Sequence, residues 1–191
     1  MLDVKPTITL RLPPVGGHIT EMQMKTYPFP LYLGELNHTV VGDLRIAASD
    51  LGLVAVEWAH SQPDFDSYLL QSEPDAIAPY ADQLCEYLEG KRREFTFPIN
   101  WSIFRPFQKE ALERVFRIPY GETRTYAEIA AEMDRPKAYR AVGRANATNP
   151  MPMVIPCHRL IGTDGKLHGY GGGEGLKTKE WLLKMEGAVI A

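Results

Sequence analysis

Between Gly42 and Trp58 the chain reads as a β-hairpin. Leu44, Ile46 and Ala48 alternate, Ser49-Asp50-Leu51-Gly52 offers turn chemistry, and Leu53-Val54-Ala55-Val56-Glu57-Trp58 is a second β-like run. Beyond a polar loop around Ser61 to Ser67 the period changes. Ile77, Tyr80, Ala81, Leu84, Tyr87 and Leu88 recur three and four residues apart as far as Gly90, which predicts an amphipathic helix with Cys85 beside its apolar stripe. Phe95-Thr96-Phe97, ahead of Pro98, reads as a further short strand. Residues 1–40 show no sustained periodicity and carry Pro6, Pro13, Pro14, Pro28 and Pro30, so they are expected to be irregular.

Trp101 to Pro106 reads as a linker, followed by a helix marked by Phe107, Ala111, Leu112, Val115 and Phe116 and stopped by Ile118-Pro119-Tyr120-Gly121. Thr125 and Glu128 stand three apart as a capping box opening a short helix from Tyr126 to Met133. A second helix starts at Pro136, where a missing amide hydrogen costs nothing in the first turn. Ala138, Ala141, Val142 and Ala145 form its apolar stripe, while Lys137, Arg140 and Arg144 lie elsewhere with no acid among them. Two short helices, a tight Asp134-Arg135 connection and a basic face fit a helix-turn-helix; a solvated surface would carry the same charges. The apolar run Met151 to Ile155 reads as a buried strand or extended segment, and a last helix runs from Leu176 to Glu186. The expected class is α+β: an α+β domain over residues 1–100, then a mostly helical domain with a helix-turn-helix over residues 101–191.

Composition narrows the function classes. With 45% apolar and 24% charged residues the chain is globular, and no long apolar window or charged leader predicts a membrane span or secretion signal. A cytoplasmic protein is expected, or a nuclear one in a eukaryote. Residues 1–100 hold 7 Lys and Arg against 14 Asp and Glu, and residues 101–191 hold 14 against 10, so the halves carry −7 and +4. The basic half is the better candidate for an anionic partner. Two cysteines and five histidines without ligand spacing predict no metal site.

The candidate chemistry lies in Pro156-Cys157-His158-Arg159. A free thiol titrates near 8.5, so a nucleophilic Cys157 needs a base or a positive charge beside it, and His158 and Arg159 supply both. Adjacent side chains point apart in extended chain, so thiol and imidazole meet only through a sharp turn or a bridging water. A cysteine after an apolar run is also what simple packing looks like. The charged pair next to it argues against full burial. Glycines at 169, 171, 172 and 173 permit close backbone approach to a ligand without making a phosphate loop. Glu186 could orient a histidine from the end of the last helix, or could simply be solvated.

Phe107-Gln108, Ile118-Pro119-Tyr120-Gly121-Glu122-Thr123, Thr125-Tyr126, Ala141-Val142-Gly143, Asn149-Pro150, Ile155-Pro156-Cys157-His158-Arg159, Gly169-Tyr170, Lys179-Glu180-Trp181-Leu182-Leu183 and Glu186-Gly187 together resemble the O6-alkylguanine-DNA alkyltransferases, in register over residues 104–187. The resemblance implies a small N-terminal domain of ribonuclease H-like fold. It also implies a monomer that works without a cofactor, moving an alkyl group irreversibly from O6-alkylguanine in double-stranded DNA to its own cysteine. By motif, Cys157 is the acceptor, His158 its water-mediated base and Glu186 the carboxylate that orients the imidazole. Tyr126 donates to the base, and Asn149 braces the segment leading to the thiol. Arg140 fills the gap left by the flipped nucleotide, with Lys137, Ala141, Arg144 and Thr125 also on the DNA, in the minor groove. Pro152, Arg159, Tyr170 and Gly171 line the base pocket. A non-enzymatic alkylated-DNA-binding protein and a cysteine hydrolase remain as rivals.

Overall fold

A computed structural model describes residues 7–9, 30–59, 70–71 and 74–189. The chain divides into two compact units, Met1–Ile103 and Phe104–Ala191. In the first, strands β1 (Thr7–Thr9), β2 (Leu31–Asn37), β3 (Leu44–Ser49), β4 (Gly52–Trp58) and β5 (Leu70–Gln71) form one sheet with helix α1 (Pro74–Leu88). The order is β1-β2-β3-β4, all antiparallel, and β5 joins β2 in parallel at Leu31 and Tyr32. Leu31, Ala47, Val54 and Ala55 are fully or almost fully buried together, with Leu33 and Ile103 packed on them. Burying each such leucine or valine contributes about 1.5–3 kcal/mol. On α1, Ile77, Ala81, Leu84 and Tyr87 are fully buried at helical spacing.

The hairpin and the amphipathic helix stand where their periodicities put them, but three expectations are corrected. Residues 1–40 are not irregular throughout, because β1 and β2 lie within them. Gly34 breaks the apolar alternation of β2 where α1 crosses it: a Cβ there would lie 2.6 Å from Ile77 Cγ2. Phe95-Thr96-Phe97 is not a strand. Gln83 of α1 holds Thr96 through its side chain, 2.8 Å to the amide, and Phe95 and Phe97 pack their rings on Tyr87 and Tyr80. The segment therefore docks on the helix, and strand-like pairing is limited to one parallel bridge, Leu53 with Ile99. Thirdly, Trp101–Ile103 is a 3-10 turn whose Ile103 belongs to the first core, which shortens the expected linker. The loop around Ser61 to Ser67 lies outside the described residues.

The second unit holds α2 (Pro106–Phe116), β6 (Arg124–Thr125), α3 (Tyr126–Glu132), α4 (Tyr139–Ala147), β7 (Leu160–Ile161) and α5 (Leu176–Met185). Helices α2, α3 and α4 pack on one another. The capping box of α3 is complete: Thr125 Oγ1 accepts from the Glu128 amide at 3.1 Å and Glu128 Oε2 accepts from the Thr125 amide at 2.6 Å. The connection to α4 turns at Asp134, in left-handed backbone with φ 57°, and Pro136 opens a 3-10 turn, Pro136–Ala138, rather than the α-helix itself. Among the described residues no helix is long and apolar enough to cross a membrane.

Gly52 in the first unit tolerates little change. Its φ is +119°, and a Cβ would sit 2.4 Å from the Pro98 carbonyl oxygen, which also accepts the Leu53 amide at 2.9 Å. Gly52→Ala is expected to destabilise the protein by about 2 kcal/mol or more, read as a lower denaturant midpoint at unchanged m-value.

Candidate active site

Along α5, Lys179, Leu182 and Leu183 are buried at three- and four-residue spacing, and Glu186, at the helix end, continues the same inward face. Glu186 is 6% exposed and gathers four donors. His158 Nε2 lies 2.9 Å from Oε1, and Arg159 donates from Nε to Oε2 and from an Nη to Oε1, both at 2.9 Å. The Gly121 amide donates to Oε2 at 3.3 Å. The other Arg159 Nη donates to the Ile118 carbonyl, and Tyr120 donates its hydroxyl hydrogen to the Met185 carbonyl at 3.3 Å. The Ile118–Gly121 segment thus wraps the carboxylate, and Gly121 must be glycine: at φ +78° a Cβ would stand 2.9 Å from the Glu186 carbonyl oxygen. Burial works to raise the Glu186 pKa, but hydrogen bonds from His158 and Arg159, with the Arg159 charge, outweigh it and hold the pKa at about 2.

Cys157–Arg159 forms a 3-10 turn. At three residues per turn the three side chains splay about 120° apart. His158, 0% exposed, and Arg159, 6% exposed, turn to Glu186, while Cys157 keeps partial exposure. The charged pair was expected to keep the turn out of the interior; Glu186 reverses that, because paired charges can be buried. Met151 to Ile155 is likewise a buried turn rather than a strand. The Ile155 amide donates back to the Met151 carbonyl at 2.8 Å, and Met153 takes a φ of 71°. Asn149 braces this turn from within, with Nδ2 to the Ile155 carbonyl at 2.9 Å and Oδ1 from the Met151 amide at 3.0 Å. Strands β6 and β7 pair in parallel, Arg124 with Leu160 and Thr125 with Ile161, so the start of α3 is fastened to the exit of the cysteine turn.

The tautomer of His158 follows from its partner. An ionised carboxylate only accepts, so Nε2 carries the hydrogen and the ring's lone pair sits on Nδ1. Burial lowers the His158 pKa against the opposing pull of Glu186, which favours the neutral imidazole. Burial raises the Cys157 thiol; the Asn149 side chain, the Lys179 charge and the amides of Cys157 and His158 draw it back down. Burial, then the Cys157 charge, raises both Tyr126 and Tyr170, and for Tyr170 the Glu186 charge adds to it. Both phenols therefore keep their protons beside the thiol and can donate.

Lys179 is the member of this site that the sequence reading missed. Fully buried, it donates from Nζ to the Leu160 carbonyl and, at 2.9 Å, to the His168 carbonyl. Burial lowers its pKa to about 8, with the Cys157 charge pulling the other way. Its signal was the α5 pattern itself, a lysine three and four residues before Leu182 and Leu183 on the apolar face.

The remaining predicted residues fall into separate groups. Lys137, Arg140 and Arg144 are exposed, and none has a carboxylate partner among the described residues. Ala141 is exposed with them, which corrects its assignment to the apolar stripe; Asn146 takes the buried position beside Val142 and Ala145. The Thr125 hydroxyl is committed to the capping box, and the Arg159 guanidinium to Glu186 and Ile118. Pro152 is buried, and Gly171 is exposed, with open space where a Cβ would go.

An acid titration tests the carboxylate cluster. Glu186 titrates at about 2 when folded and near 4.3 in unfolded chain, so its contribution is complete above about pH 4.3 and disappears as the pH falls towards 2. The shift corresponds to about 3 kcal/mol. Wild type is expected to lose that much more stability than Glu186→Gln between pH 5 and pH 2, measured by denaturant unfolding at each pH. At neutral pH Glu186→Gln is the less stable, because Arg159 stays buried without its counter-charge.

Two family models match the chain in succession. The 6-O-methylguanine DNA methyltransferase ribonuclease-like domain covers residues 31–101, and the DNA binding domain of the same name covers residues 106–188. The inducible methylated-DNA–protein-cysteine methyltransferase of Bacillus subtilis is 43% identical over 130 residues, 68% of this chain and 70% of that protein. The constitutive protein of the same organism is 38% identical over 153 residues, 78% of this chain and 91% of its own length. A crystal structure of Mycobacterium tuberculosis OGT in complex with DNA superposes with a TM-score of 0.71 at 34% identity, over 83% of this chain and 92% of that one. With both domains matched in order and a relative matched along nearly its whole length, the chain belongs to the 6-O-methylguanine DNA methyltransferase family.

Proposed function

We propose that this protein repairs DNA by moving an alkyl group from the O6 of guanine onto Cys157, once per molecule. The observation that carries the reading is the cysteine turn itself, in which the half-buried Cys157 stands next to an imidazole fixed in one tautomer by a buried, ionised Glu186. His158, through a water, takes the thiol proton. The thiolate attacks the alkyl carbon in line, the S–C bond forms as the C–O6 bond breaks, and the electron pair leaves on guanine. Tyr126, a protonated phenol beside the thiol, donates to the base at N3 and stabilises that anion. The product on the protein is a thioether. No group in this scheme cleaves it, so each molecule acts once.

The alkyl carbon of a stacked base is out of reach, so the nucleotide must leave the duplex. Lys137 in the turn before α4, with Arg140, Ala141 and Arg144 on the helix, forms an exposed basic face suited to DNA, with alanine small enough for close approach in the minor groove. Arg140 fills the vacated stack, and Pro152, Tyr170 and Gly171 receive the flipped base. The protein acts as a monomer in the compartment that holds the DNA.

Labelled O6-methylguanine in duplex DNA is expected to leave one label per protein on Cys157. Cys157→Ala should take none, and Cys85→Ala should behave as wild type, since burial and then the nearby Glu89, Asp82 and Glu86 push the Cys85 thiol up. Label on Cys85 would overturn the assignment, turnover would indicate a hydrolase, and binding without label a pure damage reader. A second measurement separates flipping from chemistry. Arg140→Ala should slow duplex repair on the order of ten-fold or more and leave reaction with free O6-benzylguanine unchanged, whereas His158→Ala should slow both.

A further inference from the structure

Tyr139, the first residue of α4, is 43% exposed on the basic helix and belongs neither to the core nor to the thiol site. The Arg140 guanidinium lies over its ring, 5.6 Å from the centroid. Arg135, a few residues earlier, is held differently, 2.6 Å from Glu110 and 5.9 Å from the Phe107 ring, and so is committed to fastening α2. Among the described residues Arg140 has no carboxylate partner, so the tyrosine face is what restrains its side chain. A long side chain that must enter a base stack loses less freedom on insertion when it is already held in one direction.

We infer that Tyr139 is a positioning residue for strand opening: its ring holds Arg140 along the exposed face of α4, aimed for entry into the duplex. The inference rests on the reading of Arg140 as the residue that occupies the vacated stack. A cation over an aromatic face at an exposed site corresponds to a factor of about two to five in rate. The ring face matters here, and the hydroxyl does not.

The test uses the full chain, a duplex containing O6-methylguanine and the free base O6-benzylguanine. Tyr139→Leu should slow duplex repair about two- to five-fold and leave the free-base rate unchanged, while Tyr139→Phe should match wild type on both. In an Arg140→Ala background Tyr139→Leu should have no further effect, because the side chain it positions is gone. If Arg140→Ala is slow on duplex and Tyr139→Leu is not, the inference falls and the role of Arg140 stands. Additive effects in the double variant, or equal slowing of the free base by Tyr139→Leu, would also overturn it. An Arg140→Ala protein with normal duplex repair would bring down both.

Discussion

A carboxylate taken out of water has to be matched by donors that go with it, and in the second unit that requirement falls on Glu186. The match is unequal in a useful way. Arg159 is permanently charged and takes the carboxylate with two parallel hydrogen bonds, so Glu186 stays ionised without needing a proton on His158. The imidazole can then remain neutral, its Nε2 hydrogen given to Glu186 and its lone pair on Nδ1. Glu186 also lies at the C-terminus of α5, the end where the helix dipole disfavours an anion, and the two cationic or donating side chains offset that as well. Arg159, a base-pocket residue by the resemblance, is the group that holds the carboxylate on which the imidazole rests.

The same unit carries the exposed basic face of α4, and short fastenings hold that helix in place. Gln108 of α2 donates to Thr148 Oγ1 at 3.0 Å at the end of α4, and Arg135 reaches Glu110 ahead of it. Asn149 continues from α4 into the turn before the thiol, and β6 with β7 closes the circuit from the thiol back to α3. Each link is a few hydrogen bonds, yet together they leave the basic helix little room to shift without moving the cysteine turn.

Much of this was legible because the decisive signals are local. The hairpin shows in its alternation, α3 in its capping box, and the thiol site in four consecutive residues. What stayed hidden depends on partners distant in the chain. Glu186 is 27 residues from Arg159, and without it the charged pair reads as exposed. Strand β2 was obscured because Gly34 gives up its side chain to make room for Ile77. The apolar run before Cys157 has the composition of a strand, but Asn149 satisfies its backbone groups from a side chain, which hydrophobic periodicity does not register. Lys179 was given no role, although its helical phase points inward.

Two neighbouring segments of the second unit differ in how much variation they can absorb. Removing or adding one residue in the cysteine turn would rotate the thiol by about 120° and present a different side chain to Glu186, while β7, paired in register with β6, resists a slip in the chain that follows. The glycine-rich stretch from Gly169 to Gly175 is under no such lock at its start, where added side chains at Gly169 and Gly171 would meet nothing within 4 Å. Bulkier residues can therefore accumulate at the start of that stretch, while the length of the turn that carries Cys157 stays fixed.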